Sequence, residues 1–271
     1  MEKDELVQLS KNLMMEALYA RSYMDILDQY KANRTAYKQE ISLSPAFYGI
    51  SEMALVEALS IRLARLYDAD DKSAGLGYLM EQAEAHKEFF SKDRGEHSFE
   101  SDGEFVIPLQ HTLRECEKCY FRERVAKEED FLRLFSDTAG GPLQDVTIEV
   151  TIEELFDMYH KRFASIQTIC KNLREQRNKI YAHNDRDVNF NLETIYRESP
   201  LSYQDIDILL EFAEDYTAFC YEYLSGNYAA LEIKNKDDWE NTLVYAQKGI
   251  ACQRREWKEK YGEDFDPFPE P

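Results

Sequence analysis

The 271 residues are 44% hydrophobic, enough to bury a sizeable core in one large domain or two small ones. Against 53 Asp and Glu stand only 33 Lys and Arg, and the resulting net charge of −20 excludes a protein coated in nucleic acid or lying on an anionic membrane, so any nucleic-acid site must be local. Ten glycines and seven prolines are few for this length, and no run of about 18 apolar residues or signal-peptide core occurs, which together predict a mostly helical, cytoplasmic chain with no membrane segment.

Leu6, Leu9, Leu13, Ala17, Ala20, Met24 and Leu27 step by threes and fours and predict an amphipathic first helix that ends before Ser42. Ser44 and Pro45 are start signals for a second helix. Its apolar residues fall on two sides, with Ile50, Ala54, Ala58 and Ile61 on one and Leu55, Leu59 and Leu66 on the other, so a central position is expected. "SAGLGYLMEQAEAHKEFF" predicts a shorter third helix, and "SKDRGEHSFESDGEF" has the composition of a loop. Pro108 is expected to open a charged fourth helix, roughly Leu109 to Phe135.

"SDTAGGPLQD" breaks the chain and makes 136–147 the best candidate for a subdomain joint within a single domain spanning 1–261. Thr151 and Glu154 have the spacing of a capping box and predict the start of a long helix. Ser202 and Asp205 mark another start, for a helix through Leu209, Ala213, Tyr216 and Cys220 that stops at "SGN". A last helix runs through Trp239, Leu243, Ala246, Ile250 and Trp257, before an acidic, proline-rich tail over 262–271.

The long helix holds an anomaly. Leu155, Tyr159, Phe163, Ile166, Cys170, Leu173 and Ile180 share one face, yet the gap in that stripe is filled by Arg177. From Met158 to Arg186 there are seven basic residues and two acidic ones, a basic island in an acidic chain, and arginine forks match phosphate oxygens. The bland alternative pairs Arg177 with a buried carboxylate or with a dimer partner. His183 lies about 120° around the axis from Arg177 and roughly 9 Å along it in a straight helix. The two converge only through long side chains, a loosened last turn, or a second copy across a two-fold axis.

"RNKIYAH", Arg177 to His183, resembles the signature of the HEPN superfamily, an arginine and a polar residue followed after four to six positions by a histidine. The arrangement of the remaining helices resembles the abortive-infection, U-type branch. The resemblance implies an all-α, HEPN-like bundle with additional N- and C-terminal helices, which dimerises with its motifs face to face. In active members it implies a metal-independent RNA endonuclease that needs no cofactor and acts in phage defence, alongside an antitoxin or regulatory partner. Carried over, His183 is the general acid/base, Arg177 holds the scissile phosphate, and Asn178 orients either of them. Arg174, Lys179, Tyr181 and Asn184 are the candidates for contacts to RNA. The rival reading is a catalytically silent RNA- or protein-binding scaffold in which Arg177 and His183 are interface residues.

Other constellations are weaker. The five cysteines (116, 119, 170, 220 and 252) are odd in number and mostly at core spacing, which predicts free buried thiols and no disulfide. Cys116 and Cys119 have zinc-like spacing but no second pair, and Asp157 with His160 lacks the partner unit of a di-iron bundle, so no metal is expected. His86, His97 and His111 are expected to face solvent. No phosphate loop or nucleophile elbow is present.

Overall fold

The computed structural model describes residues 1–70, 72–90, 109–127, 146–177, 197–229 and 238–262. Helix α1, Lys3–Asn33, buries the stripe from Leu6 through Met24 to Tyr30. A short α2, Lys38–Ser42, leads into α3, Pro45–Leu66, which opens with Pro45 in its first turn after Ser44, as the sequence predicts. Helix α4, Leu76–Ala85, and a 3₁₀ turn at Lys87–Phe89 fill the place of the expected third helix.

The fourth predicted helix is corrected in its first part, while residues 122–127 within it are helical. Residues Leu109–Thr112 form strand β1, followed by the one-turn α5 at Glu115–Lys118. Strand β2, Thr147–Val150, pairs antiparallel with β1 in the register His111 to Ile148. Val146, Ile148 and Val150 are buried while Glu149 is exposed, so the alternation of a half-buried strand decides the conformation here. The partner strand lies 35 residues away at Thr112 and Thr147, beyond the reach of any local pattern. Residues 128–135 of that expected helix, 136–145 of the expected joint and all but Gly262 of the expected tail lie outside the described residues.

The long motif helix is also corrected, into two. Helix α6, Ile152–Ser165, starts from the predicted capping box: Thr151 Oγ1 accepts from Glu154 N at 3.2 Å and Thr151 N donates to Glu154 Oε2 at 2.9 Å. It ends at Ile166 (φ −96°, ψ 2°), where α7, Gln167–Gln176, begins. The Ser165 hydroxyl bonds Arg162 O at 2.7 Å and the Gln167 amide bonds Phe163 O at 3.2 Å. Side chains thus take carbonyls that a continuous helix reserves for backbone amides. The stripe survives the break, since Leu155, Tyr159, Ile166, Cys170 and Leu173 are all buried.

Helix α8, Tyr203–Ser225, is the centre of the molecule, with twelve buried residues. Ser202 and Asp205 cap its start reciprocally, at 2.8 and 3.1 Å, and Gly226 ends it at φ 72°, the left-handed conformation that glycine adopts without Cβ strain. Helix α1 packs along α8, and Phe156 and Tyr159 of α6 meet Phe219 with ring centroids 5.7 and 4.9 Å apart. The central place expected for α3 therefore belongs to α8. Only Leu59, Leu63, Ala64 and Leu66 of α3 are buried, because its neighbours cover one of its two apolar sides. The last helix, α9, Asp238–Tyr261, buries Leu243 and Ile250 and is tied to the end of α1 by Trp239 Nε1 donating to Gln29 Oε1 at 2.6 Å.

The cysteines divide. Cys170 and Cys220 are buried, and burial pushes the Cys170 thiol up to about 12, whereas Cys119 and Cys252 are exposed, contrary to the expectation of mostly buried thiols.

Candidate functional site

Arg177 caps α7 in a conformation that is still helical (φ −56°, ψ −49°), one turn beyond the buried Leu173. That position carries its side chain to the turn after α3. Arg177 Nη2 donates to Asp68 Oδ2 at 3.1 Å, with the two side chains 30% and 28% exposed. The other carboxylate oxygen of Asp68 accepts from the Asp70 amide at 3.3 Å, so the acid is fixed by its own turn as well as by the arginine. Gly75 holds this turn against α3, because a Cβ there would stand 2.8 Å from Leu66 O and 3.1 Å from Asp68 O. Asp68 lines a cleft of about 500 Å³ together with Glu16, Arg65, Asp70, Lys72 and Leu13.

Of the other predicted site residues, Arg174 stands on α7, half-buried. Asn178, Lys179, Tyr181, His183 and Asn184 lie outside the described residues. Residues 3–242 match the AbiU2 family of HEPN domains. The chain belongs to that abortive-infection family. No curated protein and no solved structure matches it. The match takes in every described element from α1 to α8, the start of α9, and the whole "RNKIYAH" stretch.

Among the described residues, the fold pairs three of the five cations in the basic island of this HEPN chain. Lys161 Nζ pairs with Asp157 Oδ2 at 2.7 Å, Arg162 Nη2 with Asp215 Oδ2 at 2.9 Å, and Arg177 with Asp68. Lys171 and Arg174 have no carboxylate partner among the described residues, and both stand on α7 within two turns of Arg177. The electropositive surface is thus smaller than the linear sequence suggests and concentrated on α7.

His111, expected at the surface, is buried instead. As a β1 residue facing inward it takes Tyr223 OH at Nδ1 (2.9 Å) and Glu117 Oε2 at Nε2 (2.8 Å). Glu117, fully buried, also accepts from Tyr159 OH at 2.7 Å and from Arg114 N at 2.9 Å. Burial alone would raise the Glu117 carboxyl, but the bonds from His111, Arg114 and Tyr159 outweigh it and hold the group below its usual range. Burial, with Glu117 alongside, drives the Tyr159 hydroxyl well above its ordinary value. Arg114 reaches from the same turn to the Asp215 carbonyl and, at 3.5 Å, to Glu222 Oε2. A histidine against a carboxylate has the make-up of an acid/base pair, yet both nitrogens and both oxygens are spent on protein groups inside the core, so this constellation is structural. Its sequence signal was the period-two run His111 to Leu113 followed by Arg114 and Glu117 at capping spacing.

A second cleft, of about 290 Å³, is lined by Glu84, Lys87, Glu153, Phe156, Asp157 and His160. His160 is 41% exposed there with Nε2 3.1 Å from Glu84 Oε2. Among the described residues no group of three or more His, Cys, Asp or Glu is placed to hold a metal ion, and no helix is long and apolar enough to cross a membrane.

Proposed function

We propose that this AbiU2-family chain is a metal-independent RNA endonuclease acting in abortive infection. In this reading Arg177 binds the scissile phosphate and stabilises its added charge, and His183 moves protons at the ribose 2′-oxygen or the leaving 5′-oxygen. The 2′-oxygen attacks phosphorus and the bond to the 5′-oxygen breaks, leaving a 2′,3′-cyclic phosphate and a 5′-hydroxyl. Asn178 orients the histidine or the phosphate, Arg174, Lys179, Tyr181 and Asn184 contact RNA, and a second copy completes the site across a two-fold axis. A regulatory or antitoxin partner belongs to the same reading. The observation that carries it is the place of Arg177: at the end of α7, half-exposed, beside a cleft of about 500 Å³ and held among the described residues by one carboxylate. A guanidinium so held keeps donors for a phosphate fork.

Incubating the purified protein with total RNA in EDTA and analysing fragment ends tests the proposal. Wild type is expected to leave cyclic phosphate ends. His183→Ala is expected to lose cleavage by 100-fold or more while still binding RNA, since acid/base catalysis contributes about 10²–10⁴-fold. Arg177→Lys keeps the charge but loses the planar fork and should cleave poorly. Intact RNA with wild type sinks the reading.

A second reading draws on the ion pair itself. If Arg177 only ties α7 to the turn after α3, the chain is a silent scaffold, and Arg177→Ala lowers the melting temperature without any effect on RNA.

A further inference from the structure

Helix α3 has apolar residues on two sides, and the structure covers one. Leu59, Leu63 and Leu66 are at most 2% exposed against α1 and α8, whereas Phe47, Ile50 and Met53 on the opposite side are 65%, 67% and 73% exposed. Ile61 extends the same stripe at 40%, and Leu43, 48% exposed, precedes the helix. In a helix of 3.6 residues per turn Phe47, Met53 and Ile61 lie within about 60° of the Ile50 direction. With areas of roughly 150–200 Å² for large apolar side chains, these exposures leave on the order of 500 Å² of apolar surface in one strip. That is near the limit of what a monomer shows to water and most of the roughly 800 Å² per partner of a standard interface.

We propose that this face of α3 is an interface with a second copy of the chain, formed by two α3 helices packed antiparallel about a two-fold axis at Ile50. Self-complementarity favours a second copy. In such a pair Phe47 of one copy stands over the small, exposed Ala54 of the other, and Met53 stands over Ala46, so large side chains meet small ones twice. Electrostatics permit it. The chain carries −20, yet from Leu43 to Ala54 the stripe holds no charge, and the two Glu57 side chains at its ends fall about 21 Å apart, well beyond the screening length of about 8 Å at physiological salt.

The contact is separate from any closure of the HEPN motif. Ile50 lies sixteen residues before Leu66, about 24 Å along the helix, so a two-fold at Ile50 keeps the two Arg177–Asp68 pairs on the order of 50 Å apart. The proposal therefore stands or falls independently of ribonuclease activity.

Light scattering on the eluting protein at about 50 µM tests it. Wild type is expected at twice the monomer mass or more, and Ile50→Asp at half the wild-type mass with an unchanged helical content by circular dichroism, because the position is exposed in the single chain. Ile50→Cys, with Cys116, Cys119 and Cys252 replaced by serine, tests the axis: helices 8–10 Å apart bring the two Cα atoms within disulfide range, so oxidation should give a covalent dimer, while Tyr245→Cys on α9 in the same background should not. A wild type that stays monomeric, an Ile50→Asp that keeps the wild-type mass, or an Ile50→Cys that fails to cross-link overturns the proposal. An Ile50→Asp protein that halves in mass and still cleaves RNA supports it; intact RNA with a halved mass removes the ribonuclease reading and leaves the interface standing.

Discussion

Arg177 stands in an apolar stripe because the stripe runs out over a polar turn. Its aliphatic stem continues the line of Cys170 and Leu173, and its guanidinium crosses to Asp68, 109 residues earlier in the chain. An anion already occupies one side of the fork, so a phosphate arriving at Arg177 competes with a carboxylate. Asp68→Asn removes that competitor, and the amide oxygen can still accept from Asp70. Both partners are about 30% exposed, which limits the pair to about 1 kcal/mol or less. The variant should bind a short single-stranded RNA two- to five-fold more tightly by fluorescence anisotropy. An unchanged affinity with a lowered melting temperature would assign Asp68 and Arg177 to structure alone.

At the level of elements, the polar core around Glu117 joins β1, α5, α6 and α8 through His111, Arg114, Tyr159 and Tyr223. Glu117→Gln keeps the volume but removes the charge that these donors serve, and about 2–3 kcal/mol of stability should be lost, measurable by urea denaturation. The pH dependence has a definite sign. The folded carboxyl lies below its ordinary value of 4.5, so its contribution is present above that pH and fades as the pH falls through the folded value. The gap between wild type and Glu117→Gln should therefore be full at pH 6–7 and shrink below pH 4.5. A gap that stays constant into acid would mean that the native state does not favour the ionised carboxyl.

For the whole molecule, the net charge of −20 sets the terms of any encounter with RNA. Lys161, Arg162 and Arg177 are paired, which leaves Lys171 and Arg174 on α7 as the cations beside Arg177 among the described residues, while Lys179 and Arg186 follow in the sequence outside them. Each phosphate neutralised on a single strand contributes about −0.7 to the slope of log K against log salt. Three to five such contacts predict a slope of about −2 to −3.5. A steeper slope, near −5, would require a larger basic surface than this fold presents.

The sequence by itself determined the helical class, the starts at Pro45, Thr151 and Ser202, the stop at Gly226 and the family. These features are written within a turn or two of helix, where cap side chains and apolar spacing act directly on neighbouring backbone. The HEPN stretch is likewise contiguous. Tertiary structure decided the rest: strand β1 exists because β2 lies beside it, and His111 is buried because Glu117 and Tyr223 meet it in the core. It also decided which cations of the island stay unpaired and which of the two apolar sides of α3 found cover. A periodic pattern shows that a face is apolar, but what covers that face, and which carboxylate reaches which arginine, depends on segments tens of residues apart in sequence and brought together by packing.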